Sequence, residues 1–261
     1  MQDLNIALIQ TELAWEDANK NIDTLETLLT PLGETTDLVV LPEMFTSGFT
    51  MNASDNSQTM DGPGVIWMKK MAKEKNVDIT GSIIIRDKDR FFNRLIWAKP
   101  SGIVYTYDKK HLFRYAGEHR VYTPGKTLTT IELKGWKLRP FICYDLRFPL
   151  WVRNINNQYD VAVFIANWPK RRSAHWRALL TARAIENQAY VIGVNRVGMD
   201  GNGLEYSGDS SAIDPLGKVL FHSNGECVVQ TLTLSWREIE DYRKAFPAWM
   251  DADTDIIAHP L

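Results

Sequence analysis

The sequence predicts an α/β domain built in layers, in which many short strands interleave with a few helices and several strands pair as hairpins. Three observations lead there. Short aliphatic runs recur along the chain. Segments with apolar residues at helical spacing separate some of them. Others are separated only by turns such as Pro100-Ser101-Gly102 and Asp214-Pro215-Leu216-Gly217-Lys218, where proline and glycine supply the backbone a tight reversal needs. That many hairpins argues against a simple doubly wound sheet.

Taken in order, Asn5 to Gln10 reads as a buried strand. Trp15 to Leu32 reads as an amphipathic helix carrying Ile22, Leu25, Leu28 and Leu29. Asp37 to Pro42 is a second strand, Val65 to Lys75 a helix, and Val77 to Ile85, Phe92 to Ala98 and Ile103 to Tyr107 are extended. Leu138 to Cys143, Asp160 to Ala166, Ala189 to Asn195, Ser211 to Asp214 and Val228 to Leu234 supply further strands. Ala174 to Gln188 is a helix with one Arg/Glu/Asn-bearing face. The glycines from Gly198 to Gly208 read as a loop that forms neither GxGxxG nor a P-loop, so nucleotide binding has no support.

No repeat or linker divides the 261 residues, and a single domain over 1–261 is expected. A net charge of -2 lacks the basic excess of most nucleic-acid binders. The first residues have no basic start and too short an apolar run for a signal peptide or a membrane span, so a cytoplasmic protein is expected. Such a compartment keeps Cys143 and Cys227 reduced. Cys227, with no chemistry-bearing neighbours in sequence, reads as packing. The five histidines show no metal-ligand spacing, and neither a metal nor a cofactor is implied.

Three strand ends carry the residues of interest. Cys143 closes Arg139-Pro140-Phe141-Ile142-Cys143, and at a strand-to-helix elbow its sulfur would stand above the sheet edge with the Tyr144 N–H free for an oxyanion. By residue type alone it reads more readily as a core cysteine, and the flanking sequence changes that weight. A free thiol, with a pKa of roughly 8.5, needs a base or cation beside it to act as a nucleophile. Glu43 ends Asp37-Leu38-Val39-Val40-Leu41-Pro42-Glu43, where open α/β sheets place their ligands, and a carboxylate there would shuttle a proton. Lys109 follows the Ile103 to Tyr107 strand, and an ammonium near the sulfur would depress its pKa and stabilise oxyanion charge. Alternation along an extended chain turns only one of Lys109 and Lys110 toward such a site. Taken singly, the glutamate is also readable as an exposed loop residue and the lysine pair as a solvated turn.

Together these segments resemble a known family. Leu41-Pro42-Glu43-Met44-Phe45, Lys109-Lys110-His111-Leu112-Phe113 and Cys143-Tyr144-Asp145-Leu146-Arg147-Phe148-Pro149 are similar, in this order, to the three signature segments of the nitrilase superfamily of carbon-nitrogen hydrolases. Gly117-Glu118-His119-Arg120, Asn167-Trp168-Pro169 and the Trp176 to Gln188 helix extend the likeness over most of the chain. The resemblance implies a four-layer α-β-β-α sandwich and a Glu43, Lys109, Cys143 triad, with Glu118 orienting the lysine and Tyr144 N–H sharing the oxyanion. It makes the histidine after the lysine structural, which disfavours a Cys-His pair. It also implies a homodimer.

The cysteine and Asn-Trp-Pro segments look most similar to the omega-amidase branch, which hydrolyses the terminal amide of dicarboxylic acid monoamides such as 2-oxoglutaramate. A small-molecule amide is thus the expected partner, with no nucleic acid and no membrane. Its far carboxylate needs a cation. Arg147 is the first choice, with a structural pair to Asp145 as the alternative. Arg171 and Arg172 read more naturally as a solvated loop face. Met44, Phe45 and Trp168 are candidate walls for the substrate chain, or ordinary core. Other readings are hydrolysis of another small amide, a carbamoyl compound or a nitrile, or a non-catalytic binding protein on the same fold. The aromatic-rich stretch from about 236 either packs on its own sheet or contributes to a dimer contact.

Overall fold

The computed structural model describes residues 1–253. Two sheets face one another. The first contains β1 (Leu4–Gln10), β2 (Leu38–Val40), β3 (Asp78–Asp87), β4 (Arg90–Ala98) and β5 (Val104–Asp108). The second contains β6 (Ile131–Leu133), β7 (Trp136–Ile142), β8 (Val161–Ala166), β9 (Tyr190–Asn195), β10 (Val197–Met199), β11 (Glu205–Ile213) and β12 (Val219–Asn224). A last strand, β13 (Val228–Leu234), returns to the first sheet and pairs antiparallel with β1, giving the order β13-β1-β2-β3-β4-β5. The second sheet runs β10-β11-β9-β8-β7-β6, with β12 paired to β11.

Each sheet has a parallel centre and antiparallel flanks: β1-β2-β3 in one, β7-β8-β9 in the other. Central parallel strands are covered on both faces, which is why Val161–Ala166 is an unbroken buried apolar run. On β1 and β2 the two-residue period sorts the side chains. Leu4, Ile6, Leu8, Leu38 and Val40 enter the core shared with Phe141, Phe164 and Ile165 of the second sheet. Ala7, Ile9 and Val39 pack outward against Leu25 and Leu29 of α1 (Ala18–Leu29) and Val65 and Met68 of α2 (Pro63–Lys75). On the far side α3 (Ser173–Asn187) lays Trp176, Leu180 and Ala184 on the second sheet. The layers are helix, sheet, sheet, helix, as the family resemblance implied.

Several boundaries differ from the sequence reading for local reasons. The first helix starts at Ala18 because Asp17 caps it, accepting the Lys20 N–H at 3.0 Å. The Gly198 to Gly208 stretch is not merely a loop: β10 and the first half of β11 pair across it. β6 and β12 also lacked a legible pattern, being short or largely exposed. Cys227 does not pack; it is exposed in the turn before β13.

The stretch from 236 packs on its own chain as α4 (Trp236–Ala245), capped by Ser235. Trp236 meets Trp136 edge to face at 5.0 Å. Arg243 pairs with Asp160 at 2.6 Å and donates to Tyr159 O and Gln188 O. Residues 254–261, also part of the stretch expected to reach a dimer contact, lie outside the described residues.

One glycine fixes how the loop after β5 lies. Gly125 N–H donates to Lys109 O at 2.9 Å, and a Cβ at Gly125 would stand 2.0 Å from Asp108 O. Backbone cannot move aside as a flexible side chain can. We expect Gly125→Ala to cost about 1–3 kcal/mol of stability, read by urea denaturation; an unchanged midpoint would contradict the close approach.

Candidate active site

The site forms where strands of both sheets end together. β2 delivers Glu43, β5 delivers Lys109, β7 delivers Cys143, and β8 and β9 deliver Asn167 and Asn195. Strand ends of the first sheet thus bring Glu43 and Lys109, 66 positions apart, into hydrogen-bond contact, and the facing of the two sheets brings Glu43 and Asn167, 124 apart.

Lys109 is the centre. Its ammonium donates to Glu43 Oε1 at 2.9 Å and to Glu118 Oε1 at 3.0 Å, with all three side chains fully buried. Burial by itself would lower the lysine's pKa, but the carboxylates of Glu118 and Glu43 raise it well above its usual value, so the amine stays charged. Glu118 is pushed up by burial, opposed by Lys109 and reinforced by Glu43. Phe113 N–H anchors its other oxygen at 2.5 Å. Glu43 is held from three sides: by Lys109, by Asn93 Nδ2 at 2.8 Å, and by Asn167 N–H on Oε2 at 2.7 Å. Lys110 turns away and lies over Trp151, so the alternation selects Lys109.

Cys143 stands at φ +45, a left-handed conformation uncommon outside glycine. The turn breaks the β7 ladder and begins a short 3-10 segment, Cys143–Arg147. Asp145, wholly buried, stabilises it. One oxygen accepts Ile142 N–H and Tyr107 O–H; the other accepts His111 N–H and contacts His111 Nδ1 at 2.8 Å. From the opposite side Arg183 of α3 donates twice to Leu146 O. The elbow is therefore tied to the lysine strand and to the outer helix at once. Burial pushes the Cys143 thiol well above its ordinary pKa, the Glu43 carboxylate adds to this, and Lys109 opposes it.

Cys143, Lys109, Tyr144 and Asn167 line a cavity of about 650 Å³. Arg147, Arg171 and Arg172 also line it, and none of the three forms an ion pair among the described residues. Arg147 does not pair with Asp145. Its guanidinium lies 4.8 Å over Trp168 and 3.0 Å from His175 Nδ1. Arg171 is exposed, as a solvated face would be, and lies over the exposed Tyr115 at the cavity rim; Arg172 is half-buried and lies over Phe113, so it is part of the cavity wall. Desolvation lowers the Arg172 pKa, and the charges of Arg171 and Arg147 lower it further. Trp168 lines the same cavity.

Met44 and Phe45 are not walls. Both are fully buried behind the site: Phe45 packs on Trp67, and Met44 packs with Ile84, Leu112 and Tyr122. The reason is the turn after Glu43. Met44 takes φ +44, and the Met44 and Phe45 N–H groups bond to Ser82, which drives both side chains into the core.

The sequence assigns no role to Asn93 or Asn195, and names Asp145 only as an alternative partner of Arg147. Asn195 clamps the Trp168 backbone through both N–H and C=O. The one signal for Asn93 was an amide in mid-strand between Phe92 and Arg94. His111 holds the elbow, which fits a structural role. Among the described residues no group of three or more His, Cys, Asp or Glu is placed to hold a metal, and no helix is long and apolar enough to cross a membrane.

The carbon-nitrogen hydrolase family model matches residues 5–244. The omega-amidase YafV of Escherichia coli strain K12 is 46% identical over 97% of this chain and 98% of its own length. The 2-oxoglutaramate amidase of Bacillus subtilis strain 168 is 33% identical, covering 96% and 98%. The crystal structure of XC1258 from Xanthomonas campestris, a CN-hydrolase superfamily protein with an arsenic adduct in its active site, superposes with a TM-score of 0.96 at 44% identity, covering 97% and 98%. The chain belongs to the carbon-nitrogen hydrolase family.

Proposed function

We propose that this protein is an omega-amidase that releases ammonia from the terminal amide of a dicarboxylic acid monoamide of the 2-oxoglutaramate type. The observation that carries the reading is a buried Glu43-Lys109-Glu118 cluster behind Cys143, opening on a cavity with three arginines that form no ion pair among the described residues. Relatives named omega-amidase and 2-oxoglutaramate amidase support it. The intact cluster argues against a non-catalytic scaffold. The arginines favour a carboxylate-bearing amide over a nitrile or neutral amide.

Chemistry follows from the geometry. The thiol is protonated at neutral pH, so it cannot rely on a standing thiolate; Glu43 removes the proton as sulfur bonds to the amide carbon. The carbonyl electron pair moves onto oxygen, stabilised by the Lys109 ammonium and Tyr144 N–H. Glu43 returns the proton to nitrogen, the C–N bond breaks and ammonia leaves. Water, deprotonated by Glu43, then attacks the thioester, and the thiol is restored as the new carboxylic acid departs. Glu118 acts on Lys109, holding its charge and direction. Arg147, with Arg171 and Arg172 nearby, grips the distal carboxylate while Trp168 flanks the chain. We also infer one cytoplasmic domain acting as a homodimer; exposed Leu150, Ile185 and Leu216 offer apolar surface for the second copy.

Cys143→Ala should abolish ammonia release from 2-oxoglutaramate while leaving the thermal transition in place, and retained turnover would sink the assignment. Because the folded environment favours the protonated thiol, alkylation of Cys143 by iodoacetamide should still be accelerating above pH 9; a plateau below pH 8 would show a standing thiolate instead. Arg147→Ala should lower the preference for 2-oxoglutaramate over a neutral amide of equal length by about tenfold or more, measured as the ratio of kcat/KM values. An unchanged ratio would place the carboxylate elsewhere.

A further inference from the structure

The cavity carries charge of both signs, held apart. Glu16 lines the same space as the three arginines and forms no ion pair with them or with any other cation among the described residues. Its backbone sits at φ +53, a conformation that a residue with a side chain adopts only when its surroundings impose it. Three bonds do so. Glu16 N–H donates to Ser47 O at 2.9 Å, and the Thr50 hydroxyl donates to Oε1. Asn52 Nδ2 approaches Oε2 at a long 3.4 Å and is shared with Asp55.

Glu16 therefore keeps accepting capacity on Oε2. The other carboxylate of the cavity, Asp200, is more fully engaged: Oδ1 accepts the N–H groups of Asn202 and Leu204, and Oδ2 accepts the Tyr206 hydroxyl. A carboxylate with a spare lone pair, sharing a cavity with guanidinium groups that form no ion pair among the described residues, fits a ligand bearing an anion and a hydrogen-bond donor close together. A 2-oxo acid has the anion but no donor. An α-amino acid has both.

Building on the amidase reading above, we propose that Glu16 is a specificity-determining residue that takes the ammonium of a second substrate class, the ω-amides of α-amino acids. The arginines hold the α-carboxylate and Glu16 the α-ammonium, while the side-chain amide reaches Cys143. The reaction balances as before: water enters, ammonia leaves and an amino dicarboxylic acid is formed.

The test uses three amides of one length, glutaramate, 2-oxoglutaramate and L-glutamine, with the intact enzyme and with Glu16→Gln, which keeps an oxygen for Thr50. We expect the intact enzyme to hydrolyse L-glutamine, and Glu16→Gln to lower the L-glutamine to glutaramate ratio of kcat/KM at least tenfold, mainly through KM. Calorimetry on Cys143→Ala, with and without Glu16→Gln, gives the same comparison for binding and needs no turnover. Hydrolysis of glutaramate with no L-glutamine turnover or binding would overturn the Glu16 inference alone, as would a Glu16→Gln loss that falls equally on all three amides. Failure of all three amides to release ammonia would instead overturn the amidase reading, and L-glutamine affinity measured on Cys143→Ala would then decide for or against Glu16.

Discussion

A single ammonium between two carboxylates organises this molecule. Lys109 lies about 3 Å from both Glu43 and Glu118 with no solvent on any of the three side chains. A buried charge is tolerable only when its partners are fixed in place, and removing one partner of such a group typically costs about 3–5 kcal/mol. Here the fixing is done by peptide N–H groups and an asparagine from other elements: Asn167 N–H and Asn93 Nδ2 on Glu43, Phe113 N–H on Glu118. With more negative than positive charge at the cluster, the lysine stays protonated and the neighbouring thiol stays neutral.

That neutrality shapes the chemistry. An activated cysteine is often pictured as a thiolate stabilised by a cation, yet burial and the Glu43 charge outweigh Lys109 here. The cation is then available for oxygen rather than sulfur, where charge develops only as the amide is attacked. One proton, moving from sulfur through Glu43 to nitrogen, connects bond formation to ammonia loss.

The two-sheet architecture is what makes the cluster possible. Glu43 and Lys109 come from the first sheet, Cys143 and Asn167 from the second, and Asp145 joins the two by bonding Tyr107 and His111 on one side and Ile142 on the other. Small errors in sheet packing would separate sulfur from carboxylate. The interdigitated core between the sheets and the Arg183 clamp from α3 hold that spacing.

The sequence by itself determined what local pattern and short motifs can carry. Aliphatic runs marked the central strands, since strands covered on both faces must be apolar, and the Glu43, Lys109, Glu118 and Cys143 segments were legible because each lies at a strand end or in a signature stretch. The direction of each side chain was decided only by the fold. Met44 and Phe45 were buried by a left-handed turn that one-dimensional pattern does not show. Arg172 became cavity wall because an aromatic ring distant in sequence, Phe113, lies beneath it. Asp145, one residue among many beside the cysteine, acquired its role from partners 34 and 38 positions away. Hydrogen bonds and charge depend on distance in space, and only the packing of two sheets sets that distance.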